Sequence, residues 1–259
     1  MIDHLSYSSI ETYQLCPRSW WHRYVDKTPA PASPALVFGT AFHNAVEQAI
    51  AESQAPRLCW RPRWREALAL YDAIDWRDDS EVSLLDLGEA MLSDPQVEAH
   101  IAALAVMSLG GEPLIETRFE MQVPGVPVPV VGFIDLIESD GVPGDLKTAN
   151  RAWPENRAHS ALQATIYIAA LEAMGYDMNP ERRFRYRIFT KSAAPQIQVL
   201  ETERTGEDIA WMQRQVAEVW SAIEAGWFGA NTNTWKCSPR WCEYWSACEG
   251  GRIPRGQAD

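Results

Sequence analysis

Apolar residues recur every four positions between Leu36 and Ala51, where Phe38, Phe42, Val46 and Ile50 make one stripe, so this stretch is expected to be an amphipathic helix. His43 and Glu47 have the same spacing and fall together on an adjacent stripe. Upstream, Ser8 with Glu11 makes a capping-box pattern, and Ile10, Tyr13 and Leu15 supply the apolar positions of a short helix that Pro17 ends or follows with a second. After the proline-rich loop Pro29 to Pro34, further helices are expected at about Trp64 to Ile74 and Val97 to Ser108. The texture changes at Pro113. Leu114 to Val123, Val128 to Glu138 and Val142 to Thr148 are short, rich in β-branched residues and separated by Pro-Gly or Asp-Gly, the pattern of consecutive antiparallel strands. A helix from about Ser160 to Met174, strands at Arg183 to Thr190 and Gln196 to Glu201, and a helix from about Glu207 to Ala225 complete an α/β chain, a mixed sheet flanked by helices.

With 46% hydrophobic and 10% aromatic residues, the 259-residue chain can bury a full core and is not a disordered tail. No Gly/Ser linker or low-complexity run divides it, so residues 1–259 are read as one elaborated domain. The longest apolar run, Ala161 to Met174, is broken by Gln163, Thr165 and Glu172, and the start MIDHLSYSSI lacks the apolar region of a signal peptide. A cytoplasmic protein without a membrane partner is expected. The net charge of −12 argues against coating nucleic acid through bulk positive charge. Local clusters remain: Arg182, Arg183, Arg185, Arg187 and Lys191 in one segment, and Arg57, Arg61, Arg63 and Arg65 in another, either of which is equally an ordinary solvated face.

Val131-Gly132-Phe133-Ile134-Asp135-Leu136-Ile137 sets a carboxylate inside an apolar strand, where an unpaired charge costs several kcal/mol, so a cation must meet it. In the next strand, Asp145-Leu146-Lys147 projects an acid and a lysine from the same face. Such a set suits a divalent cation over a scissile phosphate, with the lysine orienting the attacking water; a buried ion pair is the plain alternative. Taken singly, His43 is equally a core histidine, and Gln163 and Tyr167, four residues apart, the polar edge of a packed helix. Glu116 is a plausible extra acid, although strand alternation explains it and Arg118 as well.

In this order, Phe38-Gly39-Thr40-Ala41-Phe42-His43, Asp135, Asp145-Leu146-Lys147 and Gln163-x-x-x-Tyr167 resemble the RecB-like branch of the PD-(D/E)XK nuclease superfamily, from about Leu5 to Cys248. The resemblance implies a restriction-endonuclease-like fold. It makes His43, Asp135, Asp145 and the Leu146 carbonyl ligands of Mg2+ or Mn2+, Lys147 the helper of the attacking water, and Gln163 and Tyr167 holders of the strand. The proline of the family name is absent, since Ile134 precedes Asp135.

Cysteines stand at 16, 59, 237, 242 and 248, and clustered cysteines in a cytoplasmic chain favour a metal site over disulfides. Cys59 reads as a small buried apolar residue. The tail Cys237-Ser-Pro-Arg-Trp-Cys242-Glu-Tyr-Trp-Ser-Ala-Cys248 needs a fourth ligand, for which Cys16 is the candidate. This resembles the iron-sulfur subgroup of RecB-like nucleases, which includes CRISPR-adaptation nucleases and phage exonucleases. The resemblance implies a 4Fe-4S cluster, with Zn2+ as the alternative, that staples residues 1–30 to 230–250. The expected activity is a metal-dependent DNA exonuclease of recombination and repair, phage-type, with Arg183, Arg185, Arg187 and Lys191 along the DNA path; Trp20, Trp21 or Trp153 could stack on unpaired bases, although core packing is the expected fate of most of them. A catalytically silent DNA-binding or scaffolding subunit of a recombination or CRISPR adaptation complex is the competing class. No Gly-x4-Gly-Lys-Ser/Thr loop is present, so any helicase is a separate partner, as is any single-strand annealing protein.

Overall fold

Serine, aspartate and proline open most of the helices. In the computed structural model, which describes residues 2–248, the first capping box is made by Ser6 and Ser9 rather than by Ser8 and Glu11, and α1 runs Tyr7–Leu15. Pro17 then begins α2 (Pro17–Tyr24). Prolines likewise occupy the start of α3 (Pro34–Ala51, capped by Ser33) and α4 (Pro56–Ala69), where the missing N–H costs nothing. Ser80 caps α5 (Glu81–Leu92), and Asp94 caps α6 (Pro95–Ala102). α4 starts well before the expected Trp64 and carries Pro62 in its interior, and α5 was not expected at all. Instead of a helix continuing to Ser108, a small antiparallel hairpin of β1 (Ser108–Leu109) and β2 (Glu112–Pro113) turns through Gly110 and Gly111, both at positive φ.

The strands β3 (Ile115–Met121), β4 (Val130–Ile137) and β5 (Pro143–Ala149) are followed by α7 (Glu155–Ser160), α8 (Leu162–Ala173), β6 (Arg183–Thr190), β7 (Ile197–Glu203) and α9 (Gly206–Glu224). Their sheet has the order β3-β4-β5-β6-β7. β4 and β5 are antiparallel, β5 and β6 parallel across the α7–α8 crossover, and β6 and β7 antiparallel, so the sheet is mixed as expected. No helix among the described residues is long and apolar enough to cross a membrane.

The chain forms two compact units. The larger, residues 32–119 and 133–209, has a core in which Phe38, Phe42, Trp60 and Trp64 pack with Leu136, Leu146 and Phe189. Gly88 of α5 lies against the Trp60 ring so closely that an added Cβ would come within 2.0 Å of it. Gly88→Ala is therefore expected to destabilise the protein by about 1–3 kcal/mol, the usual penalty of overpacking, read as a lower denaturant midpoint with unchanged slope. An unchanged midpoint would contradict this packing.

The second unit comprises the described parts of 1–31, 120–132 and 210–259. Its N- and C-terminal segments are joined by ordinary contacts: Tyr13 Oη donates to the Trp227 carbonyl at 2.6 Å, Asn231 Nδ2 to the Leu15 carbonyl at 3.0 Å, and Trp20 stacks on Phe228. The expected cysteine metal cluster is not formed. Cys16, Cys237, Cys242 and Cys248 line one small cavity, yet no three of their sulfurs lie within 4.8 Å of one another. Cys16 Sγ instead accepts a weak hydrogen bond from the Asn231 amide at 3.5 Å. The group of ligands that does converge among the described residues is His43, Glu47 and Asp135, which corrects both the iron-sulfur and the zinc expectations and the stapled fold built on them. Residues 249 and 250, the end of the expected staple, lie outside the described residues. Cys59 is buried, as its isolation suggested.

Candidate active site

β4 and β5 pair at Leu136↔Gly144 and Ile137↔Pro143, and a little further along β5 the Leu146 amide donates to the Asp135 side chain, Oδ2, at 2.7 Å. A carboxylate thus stands between two strands. Burial of Phe38, Phe42 and Val46 turns the neighbouring stripe of α3 towards it, and His43 Nδ1 comes within 3.4 Å of the same Oδ2. One turn later Glu47 joins them, so that ligand atoms of His43, Glu47 and Asp135 lie within 4.8 Å of one another. Glu116 of β3 stands near enough to Glu47 for its charge to hold the Glu47 proton more tightly. Its φ of +48° is rare for a residue with a Cβ and costs on the order of 1–3 kcal/mol, a strain typical of functional positions.

Beside this group stands a second. Asp145, 2% exposed, receives Lys147 Nζ at 2.8 Å on Oδ1 and 2.7 Å on Oδ2. Gln163 Nε2 donates to the same Oδ1 at 2.6 Å and lies 3.2 Å from the Tyr167 hydroxyl, one turn further along the almost wholly buried α8. The two-residue and four-residue spacings read from the sequence therefore place their side chains together.

The electrostatics are those of acids crowded out of water. Burial, followed by the charges of Glu116 and Asp135, pushes Glu47 up to about 9. Burial and then Asp145 raise Asp135 well above the usual carboxylate range, against the pull of Lys147 and the Leu146 amide. Burial and then Lys147 lower His43 to about 4, so its ring is neutral and keeps a lone pair at neutral pH. Burial also raises Tyr167, which stays a phenol.

Such a set fits a divalent cation. Its donors are carboxylate oxygens and one imidazole nitrogen, a mixture suited to Mg2+ and Mn2+. Glu47 Oε1, moreover, is buried without a hydrogen-bond partner, an oxygen that a cation would satisfy.

A pH dependence follows. Folded Glu47 holds its proton up to about 9, whereas the unfolded chain releases it near 4.5, so between these values the fold binds more protons than the unfolded chain and loses stability as pH rises. Below 6.5, where unfolded histidine gains the proton that buried His43 refuses, the two groups oppose each other, so in EDTA the melting temperature is expected to fall only in the part of the window above 6.5, and Mg2+ is expected to raise it most at the alkaline end. A melting temperature that rises with pH in that alkaline part, or is indifferent to Mg2+, would contradict the assignment.

Of the residues expected as metal ligands, His43 and Asp135 converge, whereas Leu146 meets Asp135 through its amide N–H rather than its carbonyl and Asp145 is held by Lys147 and Gln163 beside the group. Glu47 and Glu116 were passed over as ligands, though the four-residue step from His43 to Glu47 was legible. The β6 arginines do not join the site. Register pairs Asp145 with Tyr186 and Lys147 with Ile188, so alternation sends Arg183, Arg185 and Arg187 to the opposite face of the sheet. There Arg185 meets Glu138 at 2.9 Å, Asp140 at 2.7 Å and Glu201 at 2.6 Å, Arg187 meets Glu138 at 2.7 Å, and Arg183 lies 3.6 Å from Glu201. Lys191 is partly buried, 5.8 Å from the centre of the Phe38 ring.

Comparison with known proteins bears on the whole chain. The fold is similar to that of a crystal structure described as a "Putative exonuclease" from Eubacterium rectale, with a TM-score of 0.60 and 11% identity over 91% of this chain and 87% of that one. A second solved chain, SSO0001, aligns over 93% of this chain and 94% of its own at 14% identity, but its TM-score of 0.36 is too low to carry weight. No functionally curated protein matches significantly in sequence. The model of the PD-(D/E)XK nuclease superfamily matches residues 4–249. A match over nearly the full length, together with an acid-histidine group beside an Asp-x-Lys strand, shows that the chain belongs to the PD-(D/E)XK nuclease superfamily.

Proposed function

We propose that the chain is a divalent-metal-dependent deoxyribonuclease that hydrolyses phosphodiester bonds from DNA ends. The observation that carries this reading is the convergence of His43, Glu47 and Asp135 next to the Asp145–Lys147 pair. When bound, Mg2+ or Mn2+ supplies a Lewis acid for the phosphoryl oxygen and lowers the pKa of a bound water. His43, Glu47 and Asp135 hold that ion, and the Leu146 amide fixes the Asp135 carboxylate in place. Asp145 orients the Lys147 ammonium, which aligns the attacking water and balances charge developing on the phosphate. Gln163 locks the Asp145 carboxylate, with Tyr167 beside it as a neutral hydroxyl. The whole chain acts as one nuclease domain in this reading, in recombination or repair, with a helicase or single-strand annealing protein as a separate partner.

Preference for ends is supported by the resemblance to the RecB-like branch and by the description of the Eubacterium rectale protein. End-labelled linear DNA and covalently closed circular DNA, each incubated with Mg2+ or Mn2+, test it. Loss of the linear substrate with the circle intact is expected. Linearisation of the circle would show an endonuclease instead, and an intact linear substrate would overturn the enzymatic reading.

A further inference from the structure

The segment after β5 carries an aromatic ring and cations that the proposed chemistry does not use. One side chain clamps the main chain of Trp153: its N–H donates to Gln198 Oε1 at 2.8 Å, and its carbonyl accepts from Gln198 Nε2 at 2.9 Å. The indole lies against Tyr186 at a centroid distance of 5.3 Å, and the Arg157 guanidinium lies 3.9 Å from the indole centre. Trp153 is half-buried and Arg157 exposed, so the guanidinium covers the ring and shows its own outer face to solvent. Among the described residues neither Arg157 nor the exposed Arg151 meets a carboxylate, in a chain of net charge −12 whose β6 arginines all do.

Register relates this pair to the candidate active site. Lys147 pairs with Ile188 and Ile188 with Gln198, and paired residues share a face. Gln198 therefore stands on the Lys147 face, about 10 Å away across two strand spacings. That is the length of about three stacked nucleotides.

On the nuclease reading, we infer that Arg157, held 3.9 Å over the Trp153 ring, is a stacking platform for an unpaired base of single-stranded DNA a few nucleotides from the bond to be cut, with Arg151 on the adjacent phosphates. A guanidinium suits this because it is planar as well as charged, stacking on indole with one face and on a base with the other. Bases inside a duplex have both faces occupied, so the platform selects unpaired strand. It reads no base edge and tolerates any sequence.

The test is fluorescence anisotropy of labelled oligo(dT) with the full chain in EDTA, which separates binding from cleavage. Arg157→Ala is expected to weaken binding about fivefold or more. Arg157→Lys, which keeps the charge and loses the plane, is expected to recover little of it. Arg151→Ala is expected to weaken binding and to lower the salt slope by about 0.7, the share of one phosphate contact. An oligonucleotide of abasic sites is expected to erase the Arg157 effect and keep the Arg151 effect. Binding by Arg157→Ala within twofold of wild type, full recovery by Arg157→Lys, or no oligo(dT) binding by wild type would each overturn the platform. Cleavage of linear DNA in Mg2+ by a wild type whose binding ignores Arg157 would sink the inference and leave the nuclease. Arg157-dependent binding without any cleavage would do the reverse.

Discussion

Replacing Lys147 by alanine is expected to slow DNA cleavage by about 10²- to 10³-fold, the size of loss seen when an aligned donor is removed from a reacting group. The ammonium touches both oxygens of a carboxylate that is itself buried and locked by Gln163, so no other side chain can take its place without moving Asp145. Lys147 also draws down the pKa of Asp135. Without it Asp135 holds its proton to still higher pH, so the acidic limb of the residual pH–rate profile is expected to move to more alkaline values. Cleavage kinetics across pH, with the melting temperature recorded alongside, check both effects. A rate within tenfold of wild type would remove Lys147 from the chemistry.

Glu138→Ala is expected to be the most damaging stability change, costing about 3–5 kcal/mol, because it leaves the buried Arg187 guanidinium charged and without its carboxylate, while Arg185 keeps Asp140 and Glu201. Glu138 is 8% exposed and accepts from Arg185 Nη1 at 2.9 Å, Arg187 Nε at 3.1 Å and Arg187 Nη2 at 2.7 Å. The melting temperature is expected to drop on the order of 10 °C. Replacing Glu138 and Arg187 together by leucine and methionine should recover part of the loss, since the burden lies in the stranded charges rather than in the missing attraction. A loss below about 1 kcal/mol for the single variant would mean that water reaches the guanidiniums.

Features set by local periodicity were legible in the sequence. The stripe of Phe38, Phe42 and Val46 buries as its spacing requires, and the same spacing brings His43 to the strands. Asp145 and Lys147 share a face because strands alternate, and Gln163 and Tyr167 share one because helices turn every 3.6 residues. Features that depend on which surface faces which were not legible. An acid on a helix usually points to water, so Glu47 gave no sign of its burial beside Asp135. The arginines of β6 are as regular as Asp145 and Lys147, but nothing local distinguishes the site face of the sheet from the face bearing Glu138. Pro62 concealed α4, because an interior proline normally ends a helix. The cysteines illustrate the same limit: chain order brings four of them around one cavity, while the distances that would make them a metal group are absent.

In the proposed function, His43, Glu47 and Asp135 together hold a divalent cation. Titration of EDTA-stripped protein with Mn2+, followed by the electron paramagnetic resonance signal of free Mn2+, tests it most directly when wild type is set beside Asp135→Asn. Wild type is expected to remove Mn2+ from solution at a saturable site, and Asp135→Asn to leave the signal of free Mn2+ nearly intact. Equal uptake by the two proteins, or none by wild type, would contradict the account.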